Sequence, residues 1–314
     1  MSLVAADDRP LRFLFGEVRL GAIAEVLDGS ALERRDGGAV LVVDVDGEPV
    51  VVAPRSTRDG TFLAASTIDT DGAWLTIRPR ARQVRAESAR EVASNLAAHD
   101  IVVESNDRAL ADAWLDAPVR DALPASLWTF PRHRWVVQID GAHLAVAAGE
   151  VLMAPVAANP EHLAAMVDLG ALLATRPHRL GRELAQLARA LGGATTAARF
   201  ELGGRFALTM ERDRSRIAID FVHRLPGQSP RQAGLRTRLR AAADTAVDPT
   251  LVTRRLRDAP NLARRAAASS IALERGEIVA VLDGLVTERD RLDAGLALVA
   301  RLAAGGAPSA GPYR

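Results

Sequence analysis

Ala39-Val40-Leu41-Val42-Val43-Asp44-Val45, a break at Asp46-Gly47-Glu48, and then Pro49-Val50-Val51-Val52-Ala53 form the stretch that decides the fold. Two β-branched runs joined across Asp-Gly read as an antiparallel hairpin, because Asp and Gly accept the positive φ of a tight turn. Residues 61–68 and 73–78 continue the strand character. In the second of these, Trp74, Thr76 and Arg78 alternate with Leu75 and Ile77, the period of a half-buried strand. The region is therefore expected to be an antiparallel sheet. The preceding 21–28 fits helix or strand equally well.

Further on, 100–104 reads as a strand, and Ser105 is placed to cap a helix carrying Leu110, Trp114 and Leu115. Pro118 restarts that helix rather than continuing it. Residues 135–139 and 144–146 read as strands joined across Asp140-Gly141. Asn159-Pro160, a cap residue before a proline, starts a helix with Leu163, Met166, Val167 and Leu173 on one face, expected to stop before Pro177. A separate helix with Leu180, Leu184, Leu187 and Leu191 runs to Gly192-Gly193. Then come strands at 205–210 and 216–222, three more expected at 235–239, 250–256 and 271–281, and a last helix from about Thr287. That helix carries Leu292, Leu296, Val299 and Leu302 and ends at Gly305-Gly306.

Strands interleaved with few helices, without regular alternation, predict an α+β fold: two mainly antiparallel sheet units, each closed by an amphipathic helix. The expected division is 12–192, 193–304 and a disordered tail, 305–314. The closing helices suggest an internal duplication. Leu163, Met166, Val167, Gly170 and Leu173 have the spacing of Leu292, Gly295, Leu296, Val299 and Leu302. Each follows two short strands around a polar-Gly turn, Asp140-Gly141 and Arg275-Gly276, though turn and helix lie 22 residues apart in the first and 16 in the second. All four Trp fall in the first half, so a second copy is expected to have the thinner aromatic core.

The chain has 314 residues, 48% of them hydrophobic and 25% charged, enough to bury two cores. Its 40 basic and 39 acidic residues nearly cancel, so no global field draws it to nucleic acid or anionic membrane. Every basic residue is Arg. Schiff-base chemistry, pyridoxal phosphate attachment and the P-loop all need a lysine amine, and all are excluded. The lack of Cys excludes thiol nucleophiles, redox pairs, thiolate zinc sites and disulfides. Residues 1–10 include Asp7 and Asp8 and do not read as a signal peptide, and no apolar run is long enough to span a bilayer. A cytoplasmic address is the resulting expectation.

The most suggestive catalytic pattern is the apolar strand ending in Asp44-Val45-Asp46-Gly47. It resembles the nucleophile loop of haloacid dehalogenase-type phosphatases, and the resemblance implies Asp44 as nucleophile, Asp46 as acid or base, and magnesium. Glu48 stands where that family has Thr, no Lys exists to hold a phosphate, and the context reads as a hairpin, so the preferred reading is a polar turn. Asp69-Thr70-Asp71-Gly72 is likewise read as a turn rather than a calcium loop. The six His show no metal-ligand or triad spacing. No metal and no cofactor are expected.

Between Arg224 and Arg265 lie ten Arg against Asp244, Asp248 and Asp258. This asymmetry nominates Arg236, Arg238, Arg240, Arg254 and Arg255 as binding residues for an acidic partner or a phosphate polymer. The window contains no Phe, Tyr or Trp on which bases could stack, which argues against nucleic acid.

Glu104-Ser105-Asn106-Asp107, followed by Ala109, Ala113, Leu115, Asp116, Val119 and Leu123 and by strands between Trp128 and Val146, resembles a pattern in an uncharacterised bacterial domain family. The resemblance covers about residues 12–175. Members of that family commonly sit behind N-terminal transmembrane helices, and the resemblance implies no activity. The functional expectation is a non-catalytic protein-interaction or regulatory module with a protein partner, self-association being left open. The alternatives are a metal-dependent hydrolase or phosphatase using Asp44 and Asp46, and phosphate-polymer binding through the Arg-rich segment.

Overall fold

The computed structural model describes residues 8–13, 16–28, 30–36, 38–57, 60–79, 90–91, 101–127, 143–155, 158–203, 206–223 and 234–304. The chain divides into two compact units, Met1–Pro177 and His178–Arg314. The expected strand 135–139, the Asp140-Gly141 turn, Arg224, Arg231 and the tail 305–314 lie outside the described residues. The fold is α+β with antiparallel sheets.

In the first unit β1 (Leu11–Phe13) and β2 (Gly16–Val18) form a small ribbon, and helix α1 (Leu20–Val26) resolves the ambiguity of 21–28. The main sheet contains β3 (Ser30–Arg35), β4 (Gly38–Val45), β5 (Glu48–Thr57), β6 (Gly60–Ser66), β7 (Trp74–Pro79), β8 (Arg90–Glu91), β9 (Ile101–Ser105), β10 (His143–Ala147) and β11 (Glu150–Ala154). Their order is β3-β4-β5-β6-β11-β10-β7-β9-β8, with antiparallel neighbours throughout. The β4–β5 hairpin turns at Asp46-Gly47, both at positive φ. The β10–β11 hairpin turns at Ala148-Gly149.

The helix after β9 is α2 (Arg108–Trp114), and its cap differs from the expectation. Asp107 is the cap, its side chain accepting the N–H groups of Ala109 and Leu110, while Ser105 is a buried strand residue whose hydroxyl donates to Trp74 O and Asp107 O. A carboxylate is an ionised acceptor that also favours the positive helix end, and the strand runs far enough to absorb Ser105. Helix α3 (Ala117–Leu127) follows. Arg176 pins the next helix to this pair: its Nε donates to Ala113 O at 2.7 Å and its guanidinium lies 3.4 Å from Asp116.

That next helix, α4 (Pro160–Ala190), corrects the expectation of a break at Pro177, because it runs through the proline. Proline removes one intrahelical donor. Buried Leu173 and Ala174 before it, and Leu180 and Leu184 after it, hold helical backbone on both sides, so packing outweighs that loss. The two units meet in sequence at Pro177/His178 rather than at Gly192-Gly193. At the far end Gly192 takes positive φ, and Gly193 N–H bonds to Ala188 O, the closure that glycine permits best.

The second unit holds β12 (Ala194–Thr195), β13 (Ala207–Arg212), β14 (Ser215–Val222), β15 (Arg236–Ala242), helices α5 (Pro249–Arg257) and α6 (Pro260–Ala266), β16 (Ala268–Glu274), β17 (Glu277–Asp283) and helix α7 (Arg289–Ala303). Strand order is β12-β13-β14-β15-β17-β16. The expected strand at 250–256 is instead helix α5. Asp248 accepts Leu251 N–H as cap and Pro249 sits in the first turn, so the start signal outweighs the β-branched content of Val252 and Thr253. In this unit Phe200, Phe206 and Phe221 form a fully buried triad with centroids 5.2–6.0 Å apart.

The two sheets share an order. Each begins with a meander of four, β3-β4-β5-β6 or β12-β13-β14-β15, whose fourth strand pairs with the second strand of a hairpin, β11 or β17. That second strand leads in sequence to the long amphipathic helix, α4 or α7. The hairpin turns match as well, Ala148-Gly149 at φ 49° and 80° and Arg275-Gly276 at 50° and 81°. Counted from these turns, Leu163 and Leu292 lie 14 and 16 residues on. The first unit extends its sheet beyond the hairpin with β7, β9 and β8.

Candidate functional site

On β15, alternation sends Thr237, Leu239 and Ala241 to the face that packs on α7 and Arg236, Arg238 and Arg240 to the other. Antiparallel register sets Asp220 of β14 opposite Arg238. Asp220 is 1% exposed and accepts Arg238 Nε at 2.8 Å and Nη2 at 2.7 Å, a bidentate pair. Arg240 adds a contact to the same carboxylate at 3.2 Å and reaches Glu277 at 3.5 Å, while Arg236 lies 3.7 Å from Asp283. The Asp220 hydrogen bond raises the Arg238 pKa further above its already high value. Three of the five nominated arginines therefore belong to a charge network laid over the sheet.

The remaining two lie on α5. Arg255 is buried, and its Nη1 donates to the carbonyls of Arg301, Leu302 and Ala304 at the end of α7. Arg291 of α7 in turn donates to Ala266 O at the end of α6 and to Asp283 O. These cations meet the negative ends of helices, where carbonyls lack intrahelical donors. Arg254 is exposed, as are Arg257, Arg264 and Arg265 on the same pair of helices. None of these four has an ion pair or side-chain hydrogen bond among the described residues. Helices α5 and α6 pack on each other and on α7, which makes this basic surface a fixed part of the unit. The last three were inside the Arg-rich window but not singled out. Their common exposure follows from the phase of two helices, α5 and α6, which the strand expectation at 250–256 does not supply.

The catalytic look-alike lies in the β4–β5 hairpin. Asp44 Oδ1 accepts Gly47 N–H at 2.9 Å, closing the turn, and Asp46 occupies a turn position at φ 56°. Asp69 Oδ1 similarly accepts Asp71 N–H at 2.9 Å. Among the described residues no three His, Asp or Glu side chains gather as a metal site would require. An open cleft of about 650 Å³ in the first unit is lined by Asp8, Arg9, Arg34, Arg35 and Asp36, and one of about 610 Å³ in the second by Arg182, Gln186, Arg189 and residues 193–198. Asp44 and Asp46 line neither.

His162, in the first turn of α4, is 2% exposed, and burial lowers its pKa from 6.5 to about 4. The folded state thus holds a neutral imidazole, while the unfolded chain takes up a proton below pH 6.5. Stability is full above pH 6.5 and falls between 6.5 and about 4, by up to roughly 1.4 kcal/mol per pH unit for this one group. Urea titrations of wild type and His162→Gln across that range test this, the expected difference being a flatter profile in the variant.

No helix of the described residues is long and apolar enough to cross a membrane. No family model matches the chain, and no curated protein matches it. Among solved structures, the chain is similar to the crystal structure of the mycobacterial trehalose monomycolate transport factor A. The identity is 17% over 46% of this chain and 71% of that one, with a TM-score of 0.27, a likeness too loose to carry an argument.

Proposed function

We propose that this chain is a non-catalytic protein-binding module that meets an acidic surface of its partner through Arg254, Arg257, Arg264 and Arg265. The observation that carries the reading is the contrast between two sets of arginines in one unit. Those of β15 are neutralised by Asp220, Glu277 and Asp283, whereas the four on α5 and α6 are exposed on a packed helical surface and have no acidic partner among the described residues. A fixed cationic surface gains from carboxylates with little ordering cost. The turn role of Asp44 supports the non-catalytic half of the reading. The shared strand order and matching hairpin turns support reading the two units as copies of one duplicated element.

Affinity capture from native lysate tests this, with the wild-type chain beside a variant carrying Glu at all four positions. The expected result is a protein captured by wild type, released as salt rises, and lost from the variant. Equal capture by both, or capture abolished by added polyphosphate with no protein bound, would replace this reading with another surface or with phosphate-polymer binding. Phosphomonoester turnover lost in Asp44→Asn or Asp46→Asn would restore the hydrolase reading.

A further inference from the structure

We infer that the free edge of β16 is a strand-addition site. Its occupant is an extended segment of a partner protein that pairs antiparallel to β16, with apolar side chains opposite Ile271 and Leu273 and a basic one opposite Glu274. The inference rests on the protein-binding reading and adds a contact separable from the arginine surface.

The two units supply the comparison. Counting back from the matched turns, Leu144, Ala145, Val146 and Ala147 of β10 correspond to Ile271, Ala272, Leu273 and Glu274 of β16. In the first unit the outer edge of β10 is taken by β7, in the register Leu144↔Ile77, Ala145↔Thr76, Val146↔Leu75 and Ala147↔Trp74. In the second unit β16 is the last strand of the sheet among the described residues, with helix α5 packed beside it. The consequence shows in burial: Leu144 and Val146 are 0% and 1% exposed, whereas Ile271 and Leu273 remain part-exposed.

The backbone is poised in the same way. Across a two-residue hairpin turn the flanking residues, here Glu274 and Glu277, form a hydrogen-bonded pair, and pairing alternates from there. The N–H and C=O of Leu273 and Ile271 therefore point to the open edge. No backbone hydrogen bond from outside the sheet reaches them among the described residues. Edge strands are commonly blunted by charge or bulges, and β16 carries its irregularity at Ala268/Ser270, leaving 270–274 regular. Glu274 is exposed and makes no salt bridge among the described residues, though it lies within the field of Arg238, and Glu277 beside it is shared with Arg240 at 3.5 Å. That end of the edge therefore favours a cation on the incoming strand. Ile271 and Leu273 lie in the side-chain row of Ile278 and Ala280, so apolar residues of the added strand extend an existing apolar row, as Leu75 and Ile77 do in the first unit.

The probe is a displayed library of random extended segments of roughly eight residues, selected on the immobilised full chain. Recovered peptides are expected to alternate apolar residues with a basic residue at one end and to slow hydrogen exchange of the β16 amides. Glu274→Lys, at an exposed position, is expected to weaken them by about tenfold or more. Leu273→Pro removes an outward N–H and is expected to abolish binding. Because that change also costs side-chain packing, Glu274→Lys carries the decision if Leu273→Pro fails to fold. Peptides that bind without protecting β16 and ignore Glu274→Lys overturn the inference, as does recovery of none. Protection of β16 that rises with the chain's own concentration, without peptide, overturns it in favour of a second copy's β16. A lysate partner lost with the four Arg→Glu changes but indifferent to both β16 variants ends the strand-addition inference and leaves the protein-binding reading standing. Absence of any protein partner ends that reading itself.

Discussion

Asp220→Asn is expected to lower the unfolding free energy by about 3 kcal/mol, the lower end of the range for breaking a buried ion pair. The carboxylate is 1% exposed, accepts two hydrogen bonds from Arg238 and has the Arg240 guanidinium 3.2 Å away. With the charge removed, Arg238 keeps its own charge in a site it cannot fully hydrate, since only 24% of its side chain is exposed. That partial access to water is why the lower end applies, and Arg240 retains Glu277. The penalty belongs to the orphaned partner, so replacing both members, as Asp220→Leu with Arg238→Met, is expected to recover much of the loss. Urea denaturation of the wild type, both single variants and the double variant measures it, with an unchanged m-value confirming that stability alone has moved. A loss below about 1 kcal/mol would mean that water screens the network as it does surface pairs.

The same pair shows where sequence reading ends. Arg236, Arg238 and Arg240 were legible as alternating residues on one strand face, because period-two patterning is local. Their neutralisation was not, because Asp220 becomes a neighbour only once β14 and β15 pair in register. Hairpins with Asp-Gly or Arg-Gly turns could be read from the chain for the reason that distant pairings such as β6 with β11 and β7 with β10 could not. The turn chemistry lies within a few residues, and the distant pairing is chosen by the whole sheet. Pro177 and 250–256 misled for a related reason: local preference pointed one way, and packing in the first case and the Asp248-Pro249 start signal in the second pointed the other. Arg254 is legible in the sequence, whereas Arg257, Arg264 and Arg265 join it as one exposed set only through the helical phase of α5 and α6.

Leu296→Ala should cost about 4 kcal/mol, in the upper half of the range for buried leucine truncations. Leu296 is 2% exposed at the middle of α7, between Leu292 at 1% and Val299 at 0%. The cost of such a truncation depends on how far the surroundings collapse into the space left behind. Here α7 has little freedom to follow. A side chain added at Gly295 would press on Leu239 and Leu282, so the helix already lies close on its sheet. Its last carbonyls are held by Arg255, and Arg291 near its start is tied to Ala266 O and Asp283 O. A helix fixed at both ends leaves the cavity open, and the lost contacts are not remade. Leu296→Met, which conserves volume, is expected to cost less than about 1.5 kcal/mol. Urea midpoints of the two variants separate cavity from chemistry, and an unchanged midpoint in Leu296→Ala would mean that α7 docks without its apolar stripe.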